Sequence, residues 1–285
     1  MARPLLISFI SLQLLNKITL ILFKYLPACS IAGILVCNLV YLYLGNNPDA
    51  SQATYLIPFY VDGVCGQSAI ALTLLFLISL KFKYCAWHRI LLLGSLATMA
   101  TAFLDFFHVI SSESLDILTI HISIACIACC VATIVHLYHT RQGHRTCFSR
   151  HRMSPRFDSF LIGFIKWFPF IQLFCFLLSN TAAMLDLDMR MCNVLDAAAG
   201  NSLLATFFLL CLSMRLSFPY WHRLLIIANF ANLVIAFCDA NICTLPVSDW
   251  QLYMLYIIAP CMCILIILFN QIRTYLHEHQ TQTPA

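Results

Sequence analysis

The chain has 285 residues, of which 61% are apolar and only 10% charged, with a mean hydropathy of +0.87. A soluble domain carries roughly 45–50% apolar and about 25% charged residues, so lipid is the solvent here, and disorder, a collagen-like chain and a secreted disulfide scaffold fail on the same numbers. The net charge of +4 is spread over short loops, which makes it a topology signal and speaks against nucleic acid as a partner.

Residues 1–25 come first. Gln13, Asn16, Lys17, Leu20 and Lys24 recur at helical spacing, which predicts an amphipathic helix lying in the membrane interface. A ninth span is the alternative, and Asn16 with Lys17 near its middle argues against it. No small-residue cleavage site follows, so a removable signal peptide is not expected. Eight apolar runs come next, at approximately 27–44, 56–80, 90–109, 117–137, 160–184, 193–214, 224–245 and 252–269. A bilayer core needs roughly 20 apolar residues per helix, and none of these runs alternates as outer-membrane strands do. The expected fold class is an all-α polytopic membrane bundle of eight transmembrane helices.

Charge orients the bundle. Lys81, Lys83 and Arg89 lie between runs two and three, Arg141, Arg145, Arg150, Arg152 and Arg156 between four and five, and Arg215 and Arg223 between six and seven. Asp49, Glu113, Asp116, Asp186, Asp188 and Asp249 fall in the opposite loops. Basic loops stay inside, so both termini are expected in the cytoplasm, with the chain in a cytoplasmic (inner) membrane.

The segment Asp62–Asp105 aligns without gaps on Asp196–Asp239 at a constant offset of 134, with fourteen of forty-four positions identical. Asp62, Gly66 and Ser68 match Asp196, Gly200 and Ser202, Trp87-His88-Arg89 matches Trp221-His222-Arg223, and Phe103 and Asp105 match Phe237 and Asp239. The pattern predicts a duplication: a first four-span unit over 26–140, a basic linker over 141–157, a second four-span unit over 158–275 and a polar tail over 276–285. Four spans per unit place the halves parallel, about a pseudo-two-fold axis along the membrane normal. The unit resembles small uncharacterised bacterial membrane proteins with a related Gly-x-Ser and His-Arg pattern. That resemblance implies a bacterial envelope setting and no activity.

Four carboxylates, Asp62, Asp105, Asp196 and Asp239, lie within or at the ends of spans, where a charge costs about 2.5–3.5 kcal/mol on insertion scales. Topology places all four in the outer part of the bundle, where a ring of acids suits a cation or a proton relay. Alternatively, Asp62 and Asp196 bond neighbouring helices through Ser68 and Ser202. Gly66 and Gly200 allow either close helix approach or local unwinding. Trp87, Arg89, Trp221 and Arg223 suit interfacial anchoring. Asp105, His108 and His121 could converge on a divalent metal or relay protons. The 15 cysteines lie mostly within spans and are expected as thiols. No Walker loop, dinucleotide turn, His-Glu-x-x-His or Gly-x-Ser-x-Gly is present, and no cofactor is expected. Three readings follow: a carrier or channel-like protein for a small solute or cation, a non-catalytic interaction module docking through the basic loop, and a metal-assisted membrane enzyme. Nothing in the sequence defines oligomerisation.

Overall fold

The computed structural model describes residues 3–82, 84–107, 114–142, 153–185, 189–200, 202–242 and 249–282. Among them are ten helices and no strand: α1 (Arg3–Asn46), α2 (Gln52–Cys65), α3 (Ala69–Lys81), α4 (Ala86–Phe106), α5 (Ser114–Arg141), α6 (Pro155–Met184), α7 (Met189–Ala199), α8 (Leu203–Arg215), α9 (Tyr220–Ile242) and α10 (Asp249–Gln282). They supply eight segments long and apolar enough to cross a membrane, because α2 with α3 and α7 with α8 each form one interrupted span, Ala53–Lys81 and Val194–Arg215. Hydrocarbon offers backbone groups no partner, so a lipid-solvated chain has to close its hydrogen bonds within helices. The outer surface fits that solvent, with Ile127, Ile134 and Phe269 each more than 60% exposed.

Residues from Arg3 onward, expected as a separate interfacial helix, continue without a break into the first span. At 1.5 Å per residue the 44 residues of α1 reach ~66 Å, about twice a bilayer core. Phe23, inside the expected surface segment, and Leu26, just beyond it, are 3% and 1% exposed in the main core. Pro27 should weaken α1 here, since proline has no N–H to give the carbonyl four residues before it. That carbonyl belongs to Phe23, and His88 Nε2 of α4 lies 2.8 Å from it. Helix α6 repeats the arrangement: Pro169 frees the Ile165 carbonyl, and His222 Nε2 of α9 lies 2.9 Å away. A carbonyl only accepts, so both rings carry their proton on Nε2.

The main core lies at the seam between the halves, where Phe23 and Leu26 of α1 and Leu72 and Leu75 of α3 meet Ile165 and Phe168 of α6 and Phe208 of α8. In the first half α1 packs on α2, α4 and α5, and α4 on α3 and α5. In the second α6 packs on α7, α9 and α10, and α9 on α8 and α10. Across the seam α1 meets α8, α3 meets α6, α2 meets α8 and α9, and α7 meets α3 and α4. Exchanging α1–α5 for α6–α10 turns each of these contacts into another member of the set. A partly buried ion pair, Lys81 to Asp158, also joins α3 to α6. Within the first half, a Cβ on Gly94 of α4 would overlap Ala128 of α5, the close approach that small residues give membrane helices.

Candidate functional site

The interruptions in spans two and six fall at the matched Gly-x-Ser stretches. Ser68 leaves the helical conformation, and its Oγ accepts from the Ala71 N–H at 3.2 Å, capping α3. Ser202 Oγ likewise accepts from the Ala205 N–H at 3.3 Å, capping α8. Each serine therefore satisfies a new helix N-terminus and does not bond an aspartate. The glycines close the preceding helices. Gly66 N–H donates to the Asp62 carbonyl at 2.7 Å and Gly200 N–H to the Asp196 carbonyl at 2.5 Å. At φ −57° Gly66 needs no left-handed freedom; space is what selects it. A Cβ there would overlap the carbonyl and the carboxylate of Asp62, and one on Gly200 would overlap the Asp196 carbonyl.

Between the two breaks lies a cavity of about 540 Å³, and Asp62, Asp196, Gly66, Gly200, Gln67 and Ser68 all line it. Both aspartates are exposed to it. Among the described residues neither carboxylate has a hydrogen-bond or ion-pair partner, and the two act on one another electrostatically. Tyr41 of α1, Phe59 of α2, Phe176 of α6 and Phe237 of α9 supply aromatic walls. A Cβ on Gly63 would meet the Phe237 ring at 2.7 Å, so that glycine admits the ring, which also stacks on Tyr60 at 5.8 Å.

Two amide side chains complete the lining. Asn232 is 1% exposed, and neither its Nδ2 nor its Oδ1 has a partner. Gln67 spends its Nε2 on the Leu26 carbonyl at 3.4 Å, which leaves Oε1 unpartnered. Asn229 donates from Nδ2 to the Pro169 carbonyl at 3.2 Å. The positions of the first half that match Asn229 and Asn232 are Ser95 and Thr98, and Thr98 turns its hydroxyl to the Ser95 carbonyl at 2.8 Å. The cavity is therefore paired in its acids and one-sided in its amides. The sequence reading missed Asn229 and Asn232; two carboxamides three residues apart within a span were the signal for them.

The other expected site residues do not gather here. Asp105 is half-buried in the last turn of α4, acts electrostatically on His121, and is not among the residues lining the cavity. The side chain of Asp239, and His108 altogether, lie outside the described residues. His121 Nδ1 donates to Asn38 Oδ1 at 3.2 Å. Among the described residues no group of three or more His, Cys, Asp or Glu is placed to hold a metal, and thirteen cysteines are free thiols.

The Trp-His-Arg triplets join helices. Arg89 donates to Ser79 Oγ at 3.0 Å and to the Ser79 carbonyl at 3.1 Å. Ser213, which matches Ser79, meets His222 Nδ1 at 2.8 Å instead, while Arg223 donates to the Phe218 carbonyl at 3.2 Å. Trp87 and Trp221 are half-buried, and the Lys166 ammonium sits 5.9 Å from the Trp221 ring centre.

The fold defines a multi-pass membrane helix bundle, and a cavity holding two carboxylates lies where two of its spans are interrupted. Comparisons with protein families, with curated proteins and with solved structures return no match to this chain.

Proposed function

We propose that this chain is a carrier or channel-like protein for a small positively charged solute or cation, with Asp62 and Asp196 as the binding groups. The observation that carries the reading is that two unpartnered carboxylates from two interrupted spans open into one cavity. The helix ends support the sign of the charge. Helices α2 and α7 both finish at the cavity, bringing the partial negative charge of a helix C-terminus, whereas the start of α3 is already capped by Ser68. Among the described residues no Lys, Arg or His lines the cavity. Interrupted spans at corresponding places in two halves are also how membrane carriers expose backbone at a central site.

The matched inter-helix contacts support reading the halves as a duplication of parallel four-span units. In this reading the basic loops and both termini face the cytoplasm, and the two halves rock against each other at the α3–α6 and α1–α8 contacts.

The test is cation flux into liposomes holding the purified chain, compared with the Asp62→Asn/Asp196→Asn double variant. Flux that vanishes in the variant while the protein remains monodisperse supports the proposal. Flux equal in both, or absent from the parent for every cation tried, rejects it and leaves the interaction-module reading in its place.

A further inference from the structure

The geometry points to an organic dication as the ligand of this cavity, a small molecule with two ammonium groups separated by a short hydrocarbon spacer. The inference rests on the proposed function, since it takes the Asp62–Asp196 cavity as the binding site and specifies what occupies it.

Charge comes first. The two carboxylates enter from different halves and, among the described residues, no basic side chain lines the cavity, so a ligand with two separate positive centres can meet both acids. A single compact ion cannot be matched in that way unless both acids close on it. Size agrees. About 540 Å³ lies within the roughly 300–1,000 Å³ of sites that enclose organic molecules. Inorganic cations need a close oxygen cage, six to eight ligands for calcium and a tight octahedron for magnesium. Among the described residues no group of three or more His, Cys, Asp or Glu is placed to hold a metal; Cys37 lines the cavity, and its Sγ is turned to the Pro58 carbonyl.

The walls then favour carbon beside the charges. Tyr41, Phe59, Phe176 and Phe237 present rings, which attract ammonium groups through their faces and accept methylenes on their surfaces. The polar atoms left over are the independent indication. Asn232 is 1% exposed with both carboxamide atoms unpartnered, and Gln67 Oε1 is a buried acceptor without a donor. A buried polar atom left unmade costs about 1–3 kcal/mol, and N–H donors on an ammonium supply what Gln67 Oε1 and Asn232 Oδ1 lack. Both amides lie on the same cavity as the two carboxylates, so four side chains converge on one donor-rich guest.

The probe is 1,4-diaminobutane, titrated calorimetrically into the full chain in nanodiscs, with butylamine, sodium, potassium, magnesium and calcium as comparisons. Binding of the diamine is expected, weakened roughly 30-fold or more by Asp62→Asn or by Asp196→Asn. Butylamine is expected to bind more weakly than the diamine and to lose less when either acid is removed. Asn232→Leu keeps both charges and should still cut diamine affinity. Met99→Trp fills the cavity beside intact carboxylates, and it should abolish diamine binding even if an Asp variant fails to fold. The inference is overturned if the diamine does not bind, if it binds equally well to the Met99→Trp and Asn232→Leu variants, or if inorganic cations displace it at equal concentration. Inorganic flux that depends on Asp62 and Asp196 without diamine binding would sink this inference alone. Loss of every Asp-dependent cation signal would remove the proposed function with it.

Discussion

His222 Nε2 lies 2.9 Å from the carbonyl oxygen of Ile165, the group that Pro169 leaves without a helical donor. His88 stands in the same relation to Phe23, at 2.8 Å, where Pro27 removes the donor. A histidine in one helix thus repairs the break that a proline makes in another, and the repair happens twice. Ser213 donates to the free Nδ1 of His222, fixing a neutral ring, whereas Nδ1 of His88 has no partner.

His222→Ala should lower stability by about 1–3 kcal/mol, because a buried carbonyl loses its donor. Pro169→Ala returns an N–H to α6, so His222→Ala should cost measurably less in that background, as a coupled pair requires. Thermal unfolding in detergent of the single and double variants reads this cycle. Strict additivity would mean that the contact carries no coupling.

Gly66→Ala and Gly200→Ala should both disrupt the interrupted spans, since the added Cβ overlaps the Asp62 or Asp196 carbonyl. Gly66→Ala should harm binding more, because its Cβ also overlaps the Asp62 carboxylate. Ser68→Ala removes a cap and should cost ~1 kcal/mol, with a smaller loss of binding than either glycine variant. Paired melting and binding measurements separate the two classes.

Asp62→Asn should stabilise the unliganded protein while destroying cation binding. Two negative charges that share a low-dielectric cavity repel, and an amide ends the repulsion at nearly constant volume. A higher melting temperature with lost flux is the expected pair of results, a trade that binding sites commonly make. A lower melting temperature would show that the carboxylate has a structural partner.

The Lys81–Asp158 pair should respond asymmetrically. The Lys81 side chain is 10% exposed and that of Asp158 36%, so Asp158→Ala strands a nearly buried ammonium and should cost ~2 kcal/mol or more. Lys81→Ala leaves a half-exposed carboxylate that water can reach and should cost about 1 kcal/mol or less. Melting temperatures of the two variants test the order.

Much of the fold was legible because lipid imposes a simple rule on sequence. Runs of about 20 apolar residues were enough to find eight spans, whereas the matched Gly66 and Gly200 allowed either close helix approach or local unwinding, and only the structure shows the breaks there. The continuity of α1 was not legible. Pro27 looked like the start of a span, and only the approach of His88 to the Phe23 carbonyl, 65 residues apart in sequence, shows how the helix survives it. Within the site, Asp62 and Asp196 were readable from their cost in a membrane. Asp105 was drawn into the same set because depth along a helix can be inferred from topology, whereas the direction in which a side chain faces cannot.

By itself the sequence determined the solvent, the helical class and the paired acids, since composition and period fix what a segment buries and charge is costly in hydrocarbon. Tertiary structure alone decided that Asp62 and Asp196 share one cavity, that Ser68 and Ser202 serve as caps, and that Asn232 is left without a partner beside them. Those relations are set by how helices far apart in sequence pack across the seam between the halves, and no local pattern in the chain encodes that packing.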